Sequence, residues 1–82
     1  MPDREEVVAV IGRVLREEVG LRRAVRPEDK LLTDLQLDSV GLLTLVVGLE
    51  DHFRVALAEQ DAAAVETVGD LAALVAARVE AG

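Results

Sequence analysis

The spacing of the apolar residues constrains this chain more than any other feature. From Asp3 onward Val7, Val8, Ile11, Val14, Leu15 and Val19 recur at intervals of three and four, the pattern of one buried helical face. Asp3 followed three residues later by Glu6 suits a capped start, and Gly20 suits the left-handed position just past a helix end. A first helix is therefore expected over residues 3–19. The run "LLTLVVGL" is ambiguous by composition, but the apolar stretch from Asp38 to Phe53 is too long for an ordinary strand. At about 100° per residue Leu42, Leu45, Val46, Leu49 and Phe53 share one arc, so a second helix is expected over 38–53. The segment "TVGDLAALVAARVEA" opens with Thr67 and Asp70 in capping-box spacing and continues with Leu71, Leu74, Val75 and Val79, a final helix reaching about Val79. Between these, Asp61–Val65 is alanine-rich and short, enough for a turn or two of helix.

Residues 21–37, "LRRAVRPEDKLLTDLQL", show no sustained period, and Pro27 biases Arg26 away from helical backbone. A loop of this length is unusual in a compact domain unless it packs, and Leu31, Leu32, Leu35 and Leu37 are the residues expected to pack it. The 82 residues thus form one all-α domain, 1–82: a small four-helix bundle with three main helices, a short third helix and a long first loop. With one Phe and no Trp or Tyr, its core has to be built from Val, Leu, Ile and Ala.

Several function classes fall away on composition. There is no cysteine, hence no disulfide, thiolate metal site or cysteine nucleophile. A net charge of -7 repels phosphate backbones and anionic lipid, so neither nucleic acid nor membrane is an expected partner. No apolar run approaches the roughly 20 residues that span a bilayer, and the N-terminus "MPDREEVV" has no signal core. The expectation is a cytoplasmic monomer. A chain that starts at Met1 and ends near its last helix reads as free-standing, with a domain cut from a megasynthase as the other possibility.

Ser39 is the only serine, and it lies beside Asp38 where the second helix begins. Two readings stand: a helix cap, or a chemical handle. A hydrolase triad is excluded by geometry, because Ser39 and His52 are thirteen residues apart on one helix, about 20 Å along its axis. No ligand spacing for a metal and no phosphate-binding glycine loop is present. The chain has the residues of a substrate for other enzymes rather than of an enzyme. Opposite the core arc, helix two presents Val40, Thr44, Val47 and Asp51, with Leu43 and Glu50 on one flank and Gly41, Gly48 and His52 on the other. Val40, Leu43 and Val47 make a stripe that begins beside Ser39, a candidate docking surface together with Thr44. Gly41 and Gly48 share a side of the helix. The favoured reading is close packing against another segment of the domain, and the alternative is a partner or tethered group lying on that flank.

The pattern L-D-S-V-G-L-L-x-L-V-V-x-L-E-x-x-F, followed about fifteen residues later by T-V-G-D-L, resembles the acyl carrier and peptidyl carrier protein superfamily, and the resemblance covers nearly the whole chain. It implies that Ser39 receives 4′-phosphopantetheine from coenzyme A, installed by a phosphopantetheinyl transferase with a magnesium ion, and that Asp38 helps that enzyme position metal and cofactor. It also accounts for the missing cysteine, since the working thiol of such proteins ends the prosthetic arm.

Fatty-acid carriers usually show a glycine shortly before the D-S, a leucine after it and several acids on helix two. This chain has Leu37 before, Val40 and Gly41 after, and only Glu50 and Asp51 as acids. The L-D-S-x-G form is more similar to D-alanyl carriers and other discrete aminoacyl or acyl carriers of bacterial specialised metabolism. The resemblance therefore implies a non-enzymatic carrier holding a thioester, loaded by an adenylating ligase or acyltransferase and unloaded by a downstream synthase or transferase. A polyketide or fatty-acid-type carrier is the alternative within the family. An unmodified helical interaction module, with Ser39 only a cap, is the alternative outside it.

Overall fold

Helix α1 (Arg4–Val14) starts where its cap stands: the Asp3 carboxylate accepts the Glu6 N–H at 2.8 Å, filling one of the donors that a helix start leaves open. In the computed structural model residues 3–81 are described; Met1, Pro2 and Gly82 of the expected 1–82 domain lie outside them. Val7, Ile11 and Val14 bury one face of α1. The helix does not run on to Val19 in α form, as the spacing predicts. Leu15–Val19 is a π turn, and the reason lies at Glu18. It stands two α-turns after Ile11 and four residues after Val14, so uninterrupted α geometry would aim its carboxylate into the core. The wider i→i+5 turn rotates Glu18 into solvent while Val19 stays packed against the core. Gly20 then closes the segment in the left-handed region (φ 85°), its N–H bonded to the Leu15 carbonyl.

The long loop is strapped rather than loose. Asp29, only 7% exposed, accepts the Arg26 N–H at 2.8 Å and the Arg23 guanidinium at 3.0 Å. Its own carbonyl and that of Pro27 accept the Val68 and Gly69 N–H groups. Leu31 donates its N–H to Glu66, after which the chain winds a turn that puts Leu31 and Leu35 inside, with Leu37 following. Leu32 does not join them. It is 61% exposed, because in a wound turn the residue next to a buried one points away from it, whereas the residue four positions on returns to the same side.

Helix α2 (Ser39–Phe53), short α3 (Glu59–Ala64) and α4 (Val68–Ala81) complete the bundle. The third helix begins two residues before the expected Asp61 and ends one before Val65. Its first turn is closed by a main-chain bond from Ala62 to Ala58, without a side-chain cap, so no cap residue marks its start. α4 has the full capping box, the Asp70 N–H bonding Thr67 Oγ1 at 3.0 Å and the Thr67 N–H bonding Asp70 Oδ2 at 3.2 Å. The core is aliphatic, with Ile11, Leu15, Leu31, Leu45, Leu49 and Leu71 fully buried. α1 packs along α4 on one side and, with the π turn, against α2 on the other.

That second contact sets the register of α2. Its buried line is Gly41, Leu45 and Leu49, while Leu42, Val46 and Phe53 are half-buried, so the core arc is rotated from the expected one toward the glycine flank. Gly48 explains the rotation: a Cβ there would lie 2.8 Å from Val14 Cγ1, so the absence of a side chain lets α1 approach. This is the packing role the sequence favours for the glycines. Among the described residues no helix is long and apolar enough to cross a membrane.

Candidate functional site

Ser39 is the first residue of α2 and is exposed. Capping belongs to its neighbour: Asp38 holds extended backbone, its Oδ1 accepts the Gly41 N–H at 2.7 Å, and its carbonyl accepts the Leu42 N–H at 2.9 Å. The Ser39 hydroxyl makes no hydrogen bond among the described residues, nor do the N–H groups of Ser39 and Val40, which precede the first intrahelical bond. At α4, by contrast, the Val68, Gly69 and Asp70 donors are consumed by Asp29, Pro27 and Thr67. Charge separates the helix starts further. The first turns of α1, α3 and α4 carry carboxylates, and that of α2 carries none. In a chain of net charge -7 this leaves open N–H groups and the positive end of the helix dipole beside a free hydroxyl, a setting that accepts a phosphate ester.

Two features flank Ser39 on the surface. A groove of about 400 Å³ runs from it between α2 and α3, lined by Leu42, Leu43 and Val46 on one wall and Ala62 and Ala63 on the other. The small alanines leave the groove open, and Glu50 fastens its end by accepting the Leu57 N–H at 2.9 Å. Outward from α2 stand Val40, Leu43 and Val47, exposed to 70%, 63% and 46%. Thr44 differs from the expected free outward residue: it is half-buried and its hydroxyl donates to the Val40 carbonyl at 2.8 Å. His52 sits at the opposite end of α2, its Nδ1 3.0 Å from an Arg13 guanidinium nitrogen and its ring edge-on to Phe53.

Sequence reasoning missed two parts of this surface. Gln36, three residues before Ser39, adopts φ 56°, a left-handed backbone that glycine takes without penalty. Its only sequence signal is that fatty-acid carriers usually have a glycine shortly before the D-S. The groove wall contributed by α3 was not legible, because an alanine-rich turn says nothing about what it faces.

A free hydroxyl at a helix start whose first turn carries no carboxylate beyond the Asp38 cap, with a largely apolar groove leading away from it, fits a phosphodiester-linked arm. Residues 5–75 match the family described as "Phosphopantetheine attachment site". The acyl carrier protein of Myxococcus xanthus is 37% identical over 71 residues, 85% of this chain and 90% of that protein. Acyl carrier protein MbtL of Mycobacterium sp. (strain MCS) is 42% identical over 77 residues, 92% of this chain and 85% of that one. In fold, the crystal structure of an acyl carrier protein from Thermotoga maritima superposes with a TM-score of 0.86 at 24% identity, over 95% of this chain and 92% of that one. The chain belongs to the acyl and peptidyl carrier superfamily, whose phosphopantetheine attachment domain bears a covalently bound 4′-phosphopantetheine.

Proposed function

We propose that Ser39 is the attachment residue, and that the protein is a discrete carrier holding an acyl thioester for a bacterial biosynthetic pathway of specialised type. The single observation behind the assignment is the unused Ser39 hydroxyl: Asp38 already caps α2, so capping does not account for the serine. During modification Ser39 Oγ displaces adenosine 3′,5′-bisphosphate from the pantetheine-bearing phosphorus of coenzyme A. A P–O bond to Ser39 forms, the pyrophosphate P–O bond breaks, and the hydroxyl proton passes to the transferase or solvent. Asp38 is held in one orientation by the bond from the Gly41 N–H to its Oδ1, and its Oδ2 has no hydrogen-bond partner among the described residues. The open N–H groups of Ser39 and Val40 suit the resulting diester anion. Once attached, the arm supplies the thiol that carries the load.

The groove beginning at Ser39 supports an acyl load over the D-alanyl type of cargo, because leucine, valine and alanine make most of its lining; of its two carboxylates, Glu50 and Glu59, the first is engaged by the Leu57 N–H. The acyl carrier names of its relatives point the same way. Partners follow from the chemistry: the phosphopantetheinyl transferase, an adenylating ligase or acyltransferase that loads the arm, and a synthase or transferase that accepts the load. Val40, Leu43 and Val47 are the docking side chains in this reading. Val40→Asp and Val47→Asp are expected to leave thermal unfolding nearly unchanged and to slow transfer.

The test is intact-mass spectrometry after incubating the apo protein with coenzyme A, magnesium and a broad-specificity phosphopantetheinyl transferase, with Ser39→Ala alongside. The expected result is a gain of one phosphopantetheine that the variant lacks. A gain that persists in Ser39→Ala, or no gain by a folded wild-type chain, overturns the assignment.

A further inference from the structure

A shallow hollow of about 250 Å³ lies where the strapped loop meets the link between α3 and α4, lined by Lys30, Leu32, Thr33 and Glu66. The strap builds it: Lys30 pairs with Thr67 as a short antiparallel bridge, and the Leu31 N–H donates to the Glu66 carbonyl at 2.9 Å. Among the described residues, Leu32 is the one strongly exposed large apolar side chain that lies off α2. The polar groups around it are uncommitted. Lys30 and Glu66 bond through their main chains, and the Lys30 ammonium, the Thr33 hydroxyl and the Glu66 carboxylate have no hydrogen-bond or ion-pair partner among the described residues.

We infer that this hollow is the resting place of the unloaded prosthetic arm, taking the stretch between the arm's first amide and its thiol. The inference rests on Ser39 being the attachment residue. Reach permits it: the Leu37 N–H bonds the Leu31 carbonyl at 3.1 Å, so Leu32 lies beside a residue only two positions before Ser39. Chain dimensions then hold the Leu32 and Ser39 α-carbons within about 15 Å of each other, a span the extended arm covers. Chemistry selects the site. That stretch of the arm alternates methylene pairs with amides, and the hollow sets one leucine among a cationic donor, a hydroxyl and a carboxylate acceptor, a partner for each kind of group. The groove against α3 lacks this set: apart from Ser39 its polar side chains are Glu50 and Glu59, both acceptors, so an amide carbonyl placed there finds no side-chain donor. Because the arm is tethered close by, it meets the hollow at an effective concentration on the order of 1 mM, and contacts too weak to hold free pantetheine suffice. The bare arm and its apolar load are thus received at different places, and loading moves the arm from the hollow to the groove.

The experiment compares the apo and holo forms of the full chain by NMR, with the methyl groups of the protein labelled, the arm unlabelled, and the holo form confirmed by its mass gain. The expected result is cross-relaxation from the arm's methylene protons to the Leu32 and Thr33 methyl groups, together with a shift of the Glu66 amide between apo and holo forms. Leu32→Ser, at an exposed position, is expected to keep the unfolding midpoint and to accept the arm, yet to lose both the arm contacts to the Thr33 methyl and the Glu66 shift. Arm contacts to Leu42, Val46 and Ala63 in place of Leu32, or no arm contacts at all, overturn the resting site. So does a Leu32→Ser protein that keeps the Thr33 contacts, and so do Leu32 signals that respond to added transferase but not to the arm, which would give the hollow to a protein partner. In each of these cases the mass gain leaves the Ser39 assignment standing, whereas absence of the mass gain overturns both.

Discussion

Replacing Gly48 with alanine tests the contact that sets the register of the functional helix. On an exposed helical position the change gains up to about 1 kcal/mol, because glycine is the poorer helix former. Here the new Cβ would lie 2.8 Å from Val14 Cγ1, 3.4 Å from Cγ2 and 3.7 Å from Cβ. Rotating Val14 gives no escape, since both of its methyl groups face the site and a β-branched side chain in a helix has one strongly preferred rotamer. The helices have to separate, and overpacking of this kind costs about 1–3 kcal/mol. Offset against the propensity gain, Gly48→Ala is expected to destabilise by about 1 kcal/mol, read as a lower urea midpoint at unchanged slope. Val14→Ala alone loses two methyl groups from the core and costs about 2 kcal/mol. In the double variant the new methyl fills the vacated space, so its cost is expected to fall short of the sum of the single costs by about 1 kcal/mol or more, a coupling that residues in contact show. Stabilisation by Gly48→Ala, or additive effects in the cycle, would refute the close approach of α1 and α2.

Asp38→Ala is expected to lower stability by about 1 kcal/mol as a lost N-cap, whereas Ser39→Ala stays within about 0.5 kcal/mol because its hydroxyl holds nothing; urea titration of both separates cap from handle, and a reversed order would make Ser39 the cap. Gln36→Gly relieves a left-handed backbone at φ 56° and is expected to stabilise by up to about 1 kcal/mol after allowing for the added freedom of the unfolded chain; a lower urea midpoint would count against that conformation. The Asp70 carboxylate is held below its ordinary value of 3.8 by the Thr67 N–H first, then by the Glu66 N–H. A lowered folded value means that its contribution is complete above the unfolded value and is lost as pH falls through the folded one. In an NMR titration the Asp70 carboxylate is expected to have its midpoint below the ordinary one, and a midpoint at or above it contradicts the capping box.

Local rules make much of the fold readable in the order of the residues. Three- and four-residue spacing marks α1, α2 and α4; Asp3, Thr67 and Asp70 mark starts, and Gly20 marks a stop, because a cap is a bond between residues close in sequence. Ser39 at the start of α2 and the exposure of Val40, Leu43 and Val47 were legible for the same reason. Placements that depend on a distant segment were not. Leu32 resembles its buried neighbours in sequence, and only the strap from Asp29 and Leu31 to the start of α4 turns it outward. The expected arc of α2 missed the rotation because Val14, far back along the chain, meets Gly48. Asp29, an acid in a loop, gave no sign of being buried between Arg23 and the Arg26 amide.

What the sequence by itself determined is the helical content, the aliphatic core and a lone serine at the start of a helix, since each follows from composition or from neighbours within one turn. Tertiary structure decided which side of α2 faces inward, opened a groove against the alanines of α3, and replaced the last turns of α1 with a π turn. The physical reason is that burial is a property of the assembled bundle: a carboxylate on the core stripe is tolerable in an isolated helix and prohibitive once α2 closes over it, so the backbone gives way.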